Sequence, residues 1–423
     1  MNYQQAISYL FGLQIFGIKL GLSNITSFLN YLGNPHLKFQ SIHVAGTNGK
    51  GSVCAMLEAI LCQAGYKTGL FTSPHLVDFT ERVRICGKSI EKEFMVEFVK
   101  ECKDRIDEHK YTFFEVNTAL AFLYFAEKRV DLAVVETGLG GRLDATNVLL
   151  PLATVITNID LEHTDILGKK ITRIAFEKAG IVKEKVPVIT GIEQPQALKV
   201  IKSICQKKSS PLITAKGNSS WKIKKTSLEK TIFDLRLKSA NLKNIKLNLL
   251  GTHQVKNAAL SLLTVKELHK QGYQISNAAI TKGLKNVHWP CRFQIYRKKP
   301  WVILDAAHNP AAAKILRQTF SGLFPNRKVI FIFGVMQDKD YPRILQILSP
   351  IAKKIILTQP KNKRSASLSE LERVVTSLKI PYEKIQSVKR AYFQTLKKAA
   401  VDDIICVTGS HYTLGELLAS VLQ

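Results

Sequence analysis

The run Ser41-Ile-His-Val-Ala-Gly-Thr-Asn-Gly-Lys-Gly-Ser52 carries an apolar, β-branched stretch into a glycine-rich turn and then into a helical pattern. A turn of this kind cradles a phosphate chain. Gly46, Gly49 and Gly51 let backbone N–H groups point inward, the following helix adds the positive end of its dipole, and Lys50 reaches the terminal phosphates. The strict phosphate-loop spacing is not met: Val44 stands where the first glycine is usual and Gly51 where Ser or Thr follows the lysine, with Ser52 one position late. A second run, from Val134 through Glu136 to Asn147, ends a buried strand on a carboxylate followed by a glycine turn. Glu136 there can meet a Mg²⁺ riding on nucleotide phosphates. A third, Thr157 to Gly168, contains His163, and Lys178 follows in Phe176-Glu-Lys-Ala-Gly-Ile. Spacing alone gives neither a role, since a lone histidine is more often structural and a lone lysine solvated.

These residues need rigid carriers. Ile42–Ala45, Thr68–Thr72, Leu132–Glu136, Thr154–Thr157 and Pro187–Thr190 read as buried strands, with helical spacing over Val53–Ala64 and Val116–Lys128. Such alternation predicts a largely parallel sheet covered by helices. From Trp221 to Leu250 short lysine-interrupted alternation predicts a small antiparallel appendage, followed by helices over His253–Lys270 and Asn277–Leu284. A second series then starts, with strands at Trp301–Leu304, Lys328–Phe333, Lys354–Thr358 and Asp403–Thr408. Helices are expected between them at Pro310–Phe320, Leu368–Leu378 and Arg390–Ala399. The expected boundary lies near residue 288, beside Pro290.

Composition limits the partners. At 423 residues and 46% hydrophobic, the chain can bury two or three domain cores, which excludes a disordered chain. Lys+Arg 61 against Asp+Glu 33 gives +28, an excess that invites a polyanion. The basic residues are scattered, with short clusters at Lys207-Lys208, Lys222–Lys225 and Arg297–Lys299, and they read as a solvated surface that also favours capture of nucleotides. No recognition helix, RNP motif or aromatic-basic platform is visible, so no nucleic-acid partner is expected. Cys54, Cys62, Cys86, Cys102, Cys205, Cys291 and Cys406 form no CxxC pair and are odd in number, so no disulfide framework is expected. With no apolar run of about 18 residues and no signal-peptide pattern, no membrane partner is expected and the chain reads as cytoplasmic.

In order along the chain, GTNGKGS, FTSPHL, ETGLGGRLDATN, EH-x-x-x-LG and EKAGI, then His253-Gln-x-x-Asn257-Ala, Trp289-Pro-Cys-Arg292, Asp305-Ala-Ala-His308-Asn-Pro and Thr408-Gly-Ser410-His-Tyr412, span nearly the whole sequence. Together they resemble the folylpolyglutamate synthase/dihydrofolate synthase family of Mur ligases. The resemblance implies an α/β protein: a P-loop, Mur-ligase-like ATPase domain over 1–288 and a smaller Rossmann-like α/β glutamate ligase domain over 289–423. Asn48, Gly49, Lys50, Gly51 and Ser52 match the phosphate loop, and Asn257, Arg292 and Asp305 match nucleotide contacts. Ser73 and Glu136 match ligands of a first Mg²⁺, His163 a ligand near a second, and Lys178 the lysine that the family carries as a carbamate. His308 and Ser410 match groups near the incoming glutamate, with Lys50, Lys178 and His308 expected to serve catalysis. Three positions depart from the family pattern: Cys291 and Ala306 replace glycines, and Glu162 replaces an aspartate. The SPHLVDFTERVR segment and Phe113-Phe114-Glu115 resemble the folate-pocket region without indicating which acceptor is preferred.

The implied reaction activates a pteroyl or folyl carboxylate with ATP as an acyl phosphate, which the amine of L-glutamate then attacks. Dihydropteroate would yield dihydrofolate, and reduced folylglutamates would yield poly-γ-glutamates. The expected partners are therefore dihydropteroate, reduced folates, L-glutamate and ATP, on a monomer. A cell-wall-precursor ligase is not expected, since only 45 residues precede Gly46. A nucleic-acid-dependent ATPase would instead show salt-sensitive DNA binding without glutamate-dependent ADP release.

Overall fold

The long apolar runs can be buried on both faces only inside a sheet with helices on each side. In the computed structural model, which describes every residue except Ile18, Ser239, Leu422 and Gln423, they are. The first sheet contains β1 (Gln40–Ala45), β2 (Thr68–Phe71), β3 (Val83–Ile85), β4 (Lys88–Ser89), β5 (Leu132–Glu136), β6 (Ala153–Ile156), β7 (Val188–Thr190) and β8 (Leu212–Thr214). Their order is β4-β3-β2-β5-β1-β6-β7-β8, parallel from β2 to β8. Side-chain alternation sorts the layers. Leu132 and Val134 pack with the helices Lys50–Gln63 and Thr252–Lys270, whereas Ala133 and Val135 pack with Lys92–His109 and Phe113–Glu127.

The alternating segment forms an antiparallel sheet of β9 (Ser219–Thr226), β10 (Thr231–Leu237) and β11 (Ala240–Leu247). Phe233, Leu235 and Leu237 join the core shared with the phosphate-loop helix, and Lys222, Lys243 and Lys246 stay in water. After the helix Asn277–Asn286 the chain enters a third sheet. It comprises β12 (Gln294–Lys298), β13 (Trp301–Leu304), β14 (Val329–Phe333), β15 (Ala352–Leu357), β16 (Tyr382–Lys384) and β17 (Ile404–Thr408), in the order β12-β13-β17-β14-β15-β16. All but the edge strand β12 run parallel. Their carboxyl ends therefore share one edge, where open α/β sheets bind ligands.

The expected strands and helices are present with ends shifted by a few residues, as capping geometry dictates. The elements without a counterpart in the sequence reading include the helices Tyr3–Gly12, Ser23–Tyr31, Lys92–His109, Ile171–Ala179, Pro195–Lys207, Tyr341–Leu348 and His411–Val421 and the strands β3, β4, β8, β12 and β16. The cysteine expectation needs one correction. Cys62 and Cys86 are joined, with Cα atoms 5.8 Å apart, while Cys54, Cys102, Cys205, Cys291 and Cys406 are free and buried. Pairing of β2 with β3 brings the end of the phosphate-loop helix beside the β3–β4 turn, and residue parity cannot reveal that proximity. Among the described residues no helix is long and apolar enough to cross a membrane.

Candidate active site

The phosphate loop leaves β1 at Ala45 and turns on two glycines. Gly46 lies at φ 149°, where a Cβ would fall 1.9 Å from Thr157 Oγ1, and Gly49 at φ 83°, where a Cβ would meet Asn257 Oδ1 at 2.9 Å. Gly46 thus takes the turning duty that the strict pattern gives to position 44, which here is Val44, a sheet residue paired with Glu136. No side chain caps the helix Lys50–Gln63, so its first-turn N–H groups face the cleft as an anion site. Lys50 Nζ donates to Gly46 O (3.0 Å) and Thr47 O (3.2 Å) and lies 4.0 Å from Glu136 Oε1. Ser52 Oγ accepts from Gln254 Nε2 at 3.3 Å.

Glu136, at the end of β5, is buried, which raises its carboxyl pKa, an effect opposed by Lys50. Its hydrogen bond is from Ser73 N at 3.3 Å, so oxygen lone pairs remain for a hard cation. Mg²⁺ normally binds through one or two carboxylates, waters and substrate phosphates. That habit fits a site in which no cluster of three His, Cys, Asp or Glu side chains exists among the described residues. His163, in a left-handed conformation at φ 50°, lines the same cleft. Burial and the nearby Lys339 lower its pKa to about 4, so the imidazole is neutral at pH 7 and could serve as a metal ligand. Lys178 lies just behind, fully buried, with Nζ donating to Gly46 O at 2.8 Å. Burial, reinforced by Lys50, lowers its pKa to about 7.

The opposite wall comes from the carboxyl edge of the third sheet. Asp305, after β13, accepts from Phe293 N (2.8 Å) and Ala307 N (2.9 Å), so it also serves as a strand-end cap. Arg292 Nη2 lies 3.3 Å from His411 Nε2, and Ser410 Oγ accepts from Thr413 N at 3.0 Å. Both ring nitrogens of His308 face oxygens, Nδ1 at 2.8 Å from Ala306 O and Nε2 at 3.0 Å from Glu162 Oε1. Only an imidazolium can donate to both. Burial would raise the Glu162 carboxyl pKa, yet the hydrogen bond and charge of His308 hold it well below the carboxylate range.

A cavity of about 300 Å³ lies between the walls, and every site residue expected from the sequence lines it except Lys178, which is bonded to Gly46 O behind the phosphate loop. Glu162 and His411 line it as well, and Asn309 stands beside it. All three fall inside motifs that carry the family resemblance, but no role of their own is legible there. Of the departures, Cys291 sits at φ 57°, in the left-handed region that favours glycine, whereas Ala306 keeps negative φ and is unstrained. On the acceptor side, Arg82 donates from Nε to His75 Nδ1 (2.8 Å) and lies over the Phe79 and Phe113 rings at 5.6 and 5.2 Å. The SPHL-to-ER segment and Phe113 thus form one wall.

Residues 44–265 match the Mur ligase middle domain and residues 291–411 the Mur ligase glutamate ligase domain. The dihydrofolate synthase/folylpolyglutamate synthase of Bacillus subtilis is 37% identical, covering 98% of this chain and 98% of that one. A Mycobacterium tuberculosis folylpolyglutamate synthase structure with ADP is 30% identical at TM-score 0.91, covering 100% and 99%. Escherichia coli FolC with DHPP and ADP is 31% identical at TM-score 0.87, covering 98% and 97%. With both walls of the cleft, both domains and the full length in agreement, this chain belongs to the dihydrofolate synthase/folylpolyglutamate synthase family of Mur ligases.

Proposed function

We propose that this chain is an ATP-dependent ligase that joins L-glutamate to dihydropteroate and to reduced folylglutamates through an acyl phosphate. The observation that carries this reading is the convergence of Lys50 and Glu136 with Arg292, Asp305, His308 and Ser410 on one cleft. We also divide the chain near residue 288, where the sheet changes, into an ATP-binding part and a glutamate ligase part, acting as a monomer in the cytoplasm.

The first step brings an acceptor carboxylate against the γ-phosphoryl group, and like charges repel. Lys50 from one wall and Arg292 from the other neutralise the phosphates, and the phosphate-loop N–H groups fix the line of attack. When bound, Mg²⁺ ions held by Glu136 with Ser73, and by His163 with Lys178, would supply further charge neutralisation. Lys178 suits the second set only as a carbamate, because an ammonium repels a cation. Its buried amine, with a pKa lowered to about 7, is about half unprotonated at neutral pH, and that fraction can add to CO₂, releasing one proton. Asn257 and Asp305 hold the nucleotide across the cleft. His308 and Ser410, which line the cleft beside Arg292, would orient the incoming glutamate.

The test is ADP release with ATP, Mg²⁺ and L-glutamate, comparing dihydropteroate, tetrahydrofolate and no acceptor. Release dependent on glutamate and on each acceptor is expected. A folded, ATP-binding protein silent with both acceptors overturns the substrate reading.

A further inference from the structure

Four side chains stitch the two walls together. Asn309 Nδ2 donates to Asn48 Oδ1 in the phosphate loop and to Glu162 Oε1, both at 3.0 Å. Asn48 Nδ2 donates back to Asn309 Oδ1 at 3.3 Å, and His308 Nε2 meets the same Glu162 oxygen at 3.0 Å. Asn309 is anchored on its own side, since its Oδ1 also accepts from Ala312 N at 2.8 Å as N-cap of the helix Pro310–Leu323. Glu162 is the only carboxylate in this network, and it is buried.

From this geometry we infer that Glu162 is a positioning residue: it latches His308 and Asn309 over the phosphate loop and so sets the glutamate-binding wall in register. A buried carboxylate is strongly penalised for leaving water; the two donors from the opposite wall offset that penalty, helped by the charge of Lys50 on the phosphate-loop wall. With the walls apart, Glu162 regains hydration instead. Its charge therefore favours two arrangements, closed and paired or open and wetted, and disfavours anything between. A ligand that needs both walls then selects the closed form, and its apparent affinity falls by the fraction of molecules that are closed.

The inference rests on the ligase reading for its kinetic consequence only. Small-angle scattering of the ligand-free full chain should show a larger radius of gyration for Glu162→Gln and for Asn309→Ala than for the wild type. Adding ATP with L-glutamate should restore the wild-type value. Steady-state kinetics of Glu162→Gln should show the KM for L-glutamate raised at least tenfold, with kcat at saturating glutamate within about threefold, because saturation repopulates the closed form. Unchanged scattering in both variants overturns the latch, as does a fall in kcat at unchanged KM. If Glu162→Gln fails to fold, Asn309→Ala, which breaks the network from the other wall, decides. A wild type that releases no glutamate-dependent ADP defeats the ligase reading alone, since the scattering arm uses no turnover.

Discussion

Lys178 shows how a single residue can be ambiguous on paper and specific in place. As one lysine among many it reads as solvated. Buried against Gly46 O with its pKa lowered to about 7, it holds a far larger share of free amine at neutral pH than a solvated lysine, as the proposed carbamate requires. Enzyme depleted of CO₂ should lose most of its glutamate-dependent ADP release and recover on bicarbonate addition. Lys178→Gln should stay at least a hundredfold down and show no recovery. Equal activity with and without bicarbonate defeats the carbamate. Cys291 poses a different question, because at φ 57° a side chain costs about 1–2 kcal/mol. Cys291→Gly relieves that cost but frees the unfolded chain by roughly 0.5–1 kcal/mol. It also gives up about 1 kcal/mol of burial. The opposing contributions predict a urea-unfolding stability within about 1 kcal/mol of the wild type. A loss beyond 2 kcal/mol would mean that the thiol packs better than its burial implies.

At the scale of elements, position depends on local hydrogen bonds that the sequence spells out. Thr112 Oγ1 accepts from Glu115 N and Glu115 Oε2 from Thr112 N, a buried capping box that starts the helix carrying Phe113 and Phe114. Thr112→Ala should lower stability by about 1–2 kcal/mol in equilibrium unfolding. No change would show that the core alone fixes the helix start. The strands flanking the phosphate loop were legible because double burial leaves uninterrupted apolar runs, as in Leu132–Val135. The helix Lys92–His109 was obscured by charged residues on its outer face, and β16 is three residues long with no buried one. The site residues were legible where a glycine turn follows a strand, as at Gly46–Gly51. Glu162 and Asn309 were not, because their meaning lies in partners 147 residues apart in the chain.

For the whole molecule, burial of neutral histidines ties stability to pH. His43 is fully buried against Thr146 Oγ1, and desolvation lowers its pKa to about 3. His75 and His253 are lowered to about 4 by burial, aided by Arg82 and Arg292 respectively. The unfolded chain takes up these protons below about pH 6.5 and the folded chain does not. This stability is therefore full above pH 6.5 and drains as pH falls toward 4, by about 1.4 kcal/mol per pH unit for each histidine. Urea midpoints should fall between pH 6.5 and 4.5, less steeply in His43→Gln. A flat wild-type profile over that window excludes the coupling. Lys50 and Arg292 stand on opposite walls of the cleft, so, with the roles proposed above, a molecule parted there would hold ATP on its phosphate loop yet lack half the charge that makes the γ-phosphoryl group transferable. Water reaching the nucleotide in that state meets an incomplete catalyst. On that proposal the division of labour between two walls would act as an interlock against idle hydrolysis, sparing ATP while the cleft stands open.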